Sequence, residues 1–397
     1  MIDLGRNLHS SFTPVSDGSN SLAAYLYKID SYLNILRSHP ASLIPEELQH
    51  YPQPSTYSLY NADGLDILDS RLSIEPSGRA SRYLHRVLIS PLIDVGREIE
   101  DGLMLVEDIQ LGLCAMYCRI FDFSDRLRHS LDINNAIQRD VLQRHLGFWK
   151  DSLAKTSYFL SKPASFSREM QLSIRFYYGF EDHSRKSEWE SIVFARARDL
   201  YFDAIMLYHL SCLNFYADIR SLRQTARDLV PDSLAAEYGE PYRQAQQKRK
   251  SNLREFTRTH NMRRALCHSS SILNCFSSRL SPSEKKVVDP ISYVALSTAA
   301  LVTWAYCSYG DQACDLCLKS GGLCGVPVVN ISKFSDMMKE ESERDTWIEN
   351  GGGLVALDGV PFCLCVREVF AKRFQDELPD GWDGADSISP GIFQQRG

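Results

Sequence analysis

Three cysteines in the last quarter of the chain have a spacing that could bind a metal ion. Cys314, Cys317 and Cys324 follow the pattern C-x2-C-x6-C, which is half of the arrangement found in six-cysteine zinc clusters. A structural zinc site needs four nitrogen or sulfur ligands in a tetrahedron, and the next thiols, Cys363 and Cys365, lie about forty residues further along the chain. We therefore expect a cysteine-bearing loop here rather than a metal site, and no cofactor.

The sequence contains none of the short motifs that usually mark an active site. H-E-x-x-H, G-x-S-x-G, a phosphate-binding P-loop and a G-x-G-x-x-G turn after a strand are all missing. The acidic pair Glu107 and Asp108 stands where the first turn of a helix favours carboxylates. We expect that the chain is not an enzyme, while a helical enzyme with an unrecognised site stays open as an alternative.

A run of positive charge precedes the most apolar part of the chain. Residues 248–264, KRKSNLREFTRTHNMRR, hold seven Lys or Arg residues against one Glu. This composition is typical of a solvated helix face, and a basic cluster of this kind is also what nuclear import receptors bind. The candidate residues for an import signal are Lys248, Arg249, Lys250, Arg263 and Arg264.

The stretch from Ile291 to Tyr309 carries no charged side chain, although charged residues make up 24% of the chain. Asp289 is a good N-cap, Pro290 suits the first helical position, and Gly310 is a common terminating residue. Serines and threonines make the stretch less apolar than a typical membrane span, so we expect a buried central helix over 290–309 and no membrane insertion. The expected core residues are Tyr293, Leu296, Ala299, Ala300 and Trp304.

Apolar residues spaced by three and four positions recur along most of the chain, which indicates helices. We expect them over residues 22–39, 82–100 with a break at Pro91, 106–129, 133–160, 187–226 and 242–280, in addition to the central helix. Only residues 324–331 and 353–360 have the composition of short strands. The predicted fold class is therefore all-α, a large single helical array of about ten or more helices around the buried central helix.

The chain is expected to divide into three regions. Residues 1–80 hold flexible connectors and one amphipathic helix, with Ser19 or Ser21 as its N-cap, whose apolar positions are 22, 25, 26, 29, 32, 33 and 36. Residues 81–380 form the helical domain, and residues 381–397 form a loose tail. The net charge of -6 argues against a general nucleic-acid binder, because such proteins are usually basic. Most of the eleven cysteines stand singly on apolar helical faces, which is typical of a reducing compartment inside the cell.

Four segments resemble the regulatory domain of fungal-specific transcription factors. They are residues 187–226, residues 259–274 (THNMRRALCHSSSILN), residues 289–307 (DPISYVALSTAALVTWAYC) and residues 359–374 (GVPFCLCVREVFAKRF). The turn Trp304-Ala305-Tyr306 makes the chain more similar to the branch whose DNA-binding module is a pair of two-Cys two-His zinc fingers. The resemblance extends over residues 80–380.

This resemblance implies transcriptional regulation in a fungal nucleus, with a role in one metabolic or secondary-metabolite biosynthetic pathway. It implies other transcription proteins or a DNA-binding partner as partners, because neither type of zinc module occurs before residue 80. On this interpretation we expect no direct DNA contact by these 397 residues, and self-association into a homodimer is left open. The alternative is a helical protein-interaction scaffold outside transcription.

Overall fold

The structure is a computed structural model of the 397-residue chain. It describes residues 14–76, 79, 83–89, 104–129, 134–161, 174–179, 189–228, 239–279, 288–310, 328–331, 338–352, 354–379 and 382. Within these ranges almost all regular structure is α-helix, and the strands are three short segments. The prediction of an all-α fold is confirmed.

The helices are numbered here along the chain. They are α1 Pro14–Arg37, α2 Tyr57–Tyr60, α3 Leu65–Leu72, α4 Leu84–Ile89, α5 Val106–His129, α6 Asn134–Ser161, α7 Trp189–Tyr216, α8 Ile219–Arg227, α9 Gly239–Thr257, α10 His260–Arg279, α11 Pro290–Tyr309, α12 Met338–Asn350 and α13 Arg367–Asp376. Single turns of 3-10 helix lie at Pro45–Leu48, Arg175–Tyr177 and Leu364–Val366. The predicted break at Pro91 lies outside the described residues, as does the predicted tail except for Trp382.

Two segments predicted as single helices are each divided in two. The carboxylate of Asp218 accepts a hydrogen bond from the backbone N–H of Ser221, and α8 begins at the next residue after Asp218. In the basic segment, the hydroxyl of Thr259 accepts a hydrogen bond from the N–H of Met262, and α10 begins directly after Thr259. Each side chain satisfies an N–H group at the start of a new helix, so the predictions of one helix over 187–226 and one over 242–280 are wrong.

The three strands form one small sheet. Strand β1 (Val328–Asn330) pairs in parallel with β2 (Leu354–Leu357), and α12 lies between them in the chain. Strand β2 pairs antiparallel with β3 (Val360–Pro361). The hairpin between them turns at Asp358 and Gly359, which both have positive φ, as the favoured two-residue turn requires. The two short strand segments predicted from composition are therefore confirmed.

The chain divides into two compact units. The first contains Met1–Arg119 and Ala136–Ala204, and the second contains Ile120–Asn135 and Ile205–Gly397. This division does not coincide with the boundary predicted at residue 80. In the first unit, α5 and α6 approach closely at Gly112, where an added Cβ would collide with the ring of Trp149.

Helix α11 is the centre of the second unit. It packs against α8, α9, α10 and α13, and every residue from Ile291 to Cys307 is buried except Tyr293. The carboxylate of Asp289 accepts a hydrogen bond from the N–H of Ile291, as predicted for an N-cap. Among the described residues, α11 is also the one helix long and apolar enough to cross a membrane, but its side chains are covered by the unit itself. The predicted buried central helix is confirmed.

Gly310 ends α11 in a different way from that expected of a helix-terminating glycine. Its backbone is extended rather than left-handed. A Cβ at this position would lie 2.6 Å from the carbonyl oxygen of Tyr306, so a close backbone approach is what favours glycine here.

Four of the five predicted core residues of α11 are buried, namely Leu296, Ala299, Ala300 and Trp304. Tyr293 differs, because it is partly exposed and packs beside the rings of Phe276 and Trp382. Helices α10 and α11 are in contact at Ser269. Its hydroxyl donates to the carbonyl oxygen of Ala299 at 2.7 Å and lies 2.7 Å from the hydroxyl of Thr303. Small side chains at these positions let the two helices approach closely.

Candidate functional site

The cysteines with zinc-like spacing, Cys314, Cys317 and Cys324, lie outside the described residues. Of the two later thiols, Cys363 is buried and Cys365 belongs to a disulfide. In the part of the chain that the structure describes, no group of three or more His, Cys, Asp or Glu side chains could bind a metal ion. The expectation of a chain without metal stays a prediction.

Part of the predicted basic cluster has a structural role. The Arg249 guanidinium binds the carboxylate of Asp228 through two hydrogen bonds, Nε to Oδ2 at 2.8 Å and Nη2 to Oδ1 at 2.9 Å. The hydroxyl of Tyr242 also donates to Asp228, whose side chain is fully buried. The hydrogen bond to Asp228 raises the pKa of Arg249. Arg249 therefore connects α9 to the C-terminal end of α8.

Arg263 and Arg264 both bind the end of helix α12. The Arg263 guanidinium donates to the carbonyl oxygens of Ile348 and Glu349, which are among the last residues of that helix. The Arg264 guanidinium donates to the Glu349 carboxylate at 2.9 Å and lies over the ring of Tyr216. Carbonyl groups at a helix C-terminus lack internal partners, and cationic side chains satisfy them.

The remaining cations of the basic segment form an exposed surface. Lys248, Arg243, Arg254 and Arg258 are exposed, and Lys250 is partly buried. The five residues predicted as an import signal thus separate into two lysines on this surface and three arginines with bonds inside the unit. The bonded arginines could not be distinguished in the sequence, because their partners come from α8 and α12.

The predicted acidic pair stands at the start of α5 in the first unit. The Asp108 carboxylate accepts two hydrogen bonds from Arg79, at 2.7 and 2.9 Å, and a third from the N–H of Leu105. Both members of this ion pair are almost completely buried. Next to it, the N–H of Val106 donates to the hydroxyl of Tyr177. The arrangement fixes the beginning of α5 and presents no exposed carboxylate to a substrate.

The neighbouring Glu107 has a different environment. Its two carboxylate oxygens are buried and accept no hydrogen bond from another residue. Burial, with the negative charge of Asp108 nearby, raises the pKa of Glu107 to about 7. The group is therefore about half protonated at neutral pH. A general acid must reach its substrate, and both carboxylate oxygens of Glu107 are enclosed by protein.

Two histidines meet inside the second unit. His209 on α7 and His268 on α10 approach with their Nδ1 atoms 2.9 Å apart, so one ring donates a hydrogen bond and the other accepts it. Burial lowers the pKa of His209 to about 3. The ring of His268 stacks on Tyr216, with 5.7 Å between the ring centroids. The lowered pKa keeps His209 neutral at physiological pH, which suits packing rather than proton transfer.

A cavity of about 290 Å³ lies between α11 and α13. Five of its lining residues are apolar and buried, namely Ala300, Trp304, Cys307, Phe370 and Phe374. The other lining residues include four charged side chains of α13, Arg367, Glu368, Lys372 and Asp376. The volume is at the lower limit of small-molecule pockets. Burial raises the pKa of the Cys307 thiol far above its usual range, so this residue is not a nucleophile.

Sequence reasoning did not identify this cavity. The spacing of four between Phe370 and Phe374 indicates one apolar face of a short helix, but it does not indicate which helix that face covers. The position of α13 beside α11 is a long-range contact that only the folded chain defines.

Comparison with protein-family models, with curated proteins and with solved structures gives no match to this chain. A functional assignment therefore depends on the residues and their arrangement.

Proposed function

We propose that this chain is a transcriptional regulator of fungal gene expression, with its second unit as the regulatory domain. The proposal rests on how segments distant in the sequence pack together. The segments that resemble fungal regulatory domains contribute α7, α8, α10, α11 and α13, and of these α8, α10 and α13 pack on α11. Segments separated by more than a hundred residues in the sequence thus contribute to one core, which supports the proposal.

The residues that the structure describes form no assembled catalytic group, which supports the same proposal. Asp108 is bonded to Arg79, the two histidines pack against each other, and the thiol beside the cavity is buried. The second unit presents an exposed basic surface that includes Lys248, Arg243, Arg254 and Arg258. Cations on an exposed helix are suited to an acidic partner protein such as an import receptor.

The decisive experiment tethers the full chain to a DNA-binding domain of unrelated origin in a fungal cell. A reporter gene downstream of the matching operator is expected to change its expression several-fold, in either direction. The variant Ala299→Asp, in which α11 cannot be buried, is the control and should abolish the effect. An unchanged reporter, with the fusion protein present and folded, contradicts the proposal and favours a scaffold outside transcription.

A second experiment tests nuclear location. We expect a fluorescent fusion of the full chain to accumulate in the nucleus, and the double variant Lys248→Ala with Lys250→Ala to spread into the cytoplasm. The matched control, Arg144→Ala with Lys150→Ala, removes the same charge from exposed positions of α6 outside the basic segment and should keep the wild-type distribution. Equal distributions for the wild type and the lysine variant would exclude this cluster as the import signal.

A further inference from the structure

Helix α1 carries a large exposed apolar surface. Of the fifteen exposed large hydrophobic side chains among the described residues, six lie on this helix. They are Leu22, Tyr25, Leu26, Ile29, Leu33 and Leu36, with exposed fractions between 38% and 60%. An exposed apolar row of this size is unusual on a monomeric protein and marks a surface that another molecule covers.

The opposite face of α1 is fixed to the first unit. Tyr27, Ser31 and Ile35 are buried there. The ammonium group of Lys28 donates to the side-chain oxygen of Gln110 on α5 at 3.0 Å, and the Gln110 amide donates to the hydroxyl of Tyr32. These contacts hold the helix in one rotational orientation, so the apolar row cannot turn into the core.

The spacing of the exposed row identifies the kind of contact. Leu22, Leu26, Ile29, Leu33 and Leu36 follow one another by four, three, four and three positions. This is a heptad repeat with Leu26 and Leu33 at position a and the other three at position d. A helix that covers a globular core has a wider stripe, whereas a narrow a/d row is the seam of a coiled coil.

We propose that a second copy of this chain covers the row, with α1 pairing against α1 in a parallel two-stranded coiled coil. The exposed row amounts to about 500 Å² of side-chain surface in each copy, and a pair would bury roughly 1,000 Å², which reaches the lower limit of specific interfaces. The association is therefore reversible and depends on protein concentration. It does not depend on the proposed role in transcription.

The flanking residues distinguish the two directions in which the helices could pair. In a parallel pair, the Tyr25 hydroxyl can donate to the carboxylate of Asp30 of the second copy, which also accepts hydrogen bonds from the backbone N–H groups of Ser42 and Leu43 in its own chain. An antiparallel pair brings Asp30 near Asp30 of the second copy, and these like charges repel each other.

The test measures the molar mass of the full chain by light scattering and sedimentation from about 1 to 100 µM, a range that brackets a micromolar dissociation constant. We expect the mass to rise with concentration toward twice the 45.1 kDa of one chain. Ile29→Asp should raise the dissociation constant at least about tenfold without changing the circular dichroism, because the side chain is exposed. The control Leu65→Asp alters an exposed leucine on α3 and should dimerise like the wild type.

A chain that stays monomeric over the whole range, or an Ile29→Asp variant that dimerises like the wild type, overturns the proposal. The direction of pairing is tested with Leu36→Cys under mild oxidation, compared with the wild type treated in the same way. A parallel pair brings the two introduced thiols together and yields a covalent dimer. A non-covalent dimer of this variant that gives no cross-link above the wild-type level overturns the parallel arrangement.

Discussion

The buried carboxyl group of Glu107 makes the stability of the first unit depend on pH. Its pKa is about 7 in the folded chain against an ordinary value of 4.5, so between these values the unfolded chain releases a proton that the folded chain keeps. The free energy of unfolding therefore falls as the pH rises from 4.5 to 7, by up to about 3 kcal/mol.

Glu107→Gln should remove this dependence, because the amide has a similar shape and no charge. Urea unfolding at pH 5 and at pH 8 measures the free energy of unfolding of both proteins. We expect the stability of the variant relative to the wild type to increase by about 1–3 kcal/mol from pH 5 to pH 8. Glu46→Gln, at an exposed carboxylate, is the control. An equal difference from the wild type at both pH values would show that Glu107 does not titrate in this range.

His209 gives a dependence on pH of the opposite sign. Its pKa is about 3 in the folded chain against an ordinary 6.5, so below pH 6.5 the unfolded chain binds a proton that the folded chain cannot bind. Acidification from pH 6.5 toward pH 3 therefore destabilises the fold, by about 1.4 kcal/mol for each pH unit.

In His209→Gln we expect a lower stability at pH 7, because the bond to His268 is disturbed, together with a shallower loss between pH 6.5 and pH 5. Denaturant unfolding at several pH values measures the slope. The exposed His50 provides the control as His50→Gln, which should keep the wild-type slope. A slope in His209→Gln equal to that of the wild type contradicts the assignment.

Replacement of Arg249 by alanine should destabilise the fold much more than replacement of its two lysine neighbours. Arg249→Ala leaves the buried carboxylate of Asp228 without its cationic partner, which is expected to cost about 1–3 kcal/mol. Lys248→Ala with Lys250→Ala should change the stability by no more than about 0.5 kcal/mol. Thermal and urea unfolding of both variants measures the difference, and equal stabilities would show that the ion pair contributes nothing.

Among the elements, α11 is where a single substitution should have the largest effect. Ala299 is fully buried, and its carbonyl oxygen accepts the hydrogen bond from Ser269. Ala299→Asp introduces a buried carboxylate without a partner, and its cost of several kcal/mol is comparable with the total stability of a domain. We expect loss of cooperative unfolding in circular dichroism and calorimetry. The control Leu364→Asp, at an exposed position of the same unit, should unfold like the wild type.

The elements also show which structural information is local. Asp289 and Pro290 predicted the start of α11 correctly, because N-caps and first-turn prolines act within one turn, and α11 also ends before Gly310, although that glycine is extended rather than left-handed. The divisions at Asp218 and Thr259 were missed. Aspartate and threonine also occur inside helices, and whether such a residue caps a new helix depends on how the following helix packs.

Helix α1 shows the limit of periodicity. The sequence predicts an amphipathic helix with an apolar face, and the helix is present, but that face is exposed. The buried face combines two large side chains, Tyr27 and Ile35, with the small or polar Ala24, Ser31 and Asn34, so it is less apolar in sequence than the exposed row. Periodicity defines which residues share a face and does not define which neighbour covers it.

At the scale of the whole molecule, composition and patterning determine the fold class but not the division into units. Charge and hydrophobic content indicate a helical chain with a large core, and the structure has this character in both units. The boundary between the units falls inside α5, α6 and α7, three long helices that contain residues of each. A boundary within continuous helices leaves no linker, and a linker is the signal by which sequence reasoning finds domains.

The candidate sites depend even more on the folded chain. The basic segment itself was identified in advance, because a charged run on a helix is a local pattern, and its role in nuclear import stays a prediction. The cavity, the histidine pair and the partners of Arg263 each combine residues from helices far apart in sequence. No spacing rule connects such residues before the helices are packed.

The position of α13 in the chain also matters while the protein is being synthesised. Helix α11 leaves the ribosome about sixty residues before α13, which at ordinary rates of translation corresponds to several seconds. During this interval the surface around Trp304 and Ala300, which α13 later covers, faces water on the nascent chain. Chaperones bind such surfaces, so a ribosome that stalls after α11 has emerged and before α13 follows would hold a nascent chain that needs their protection.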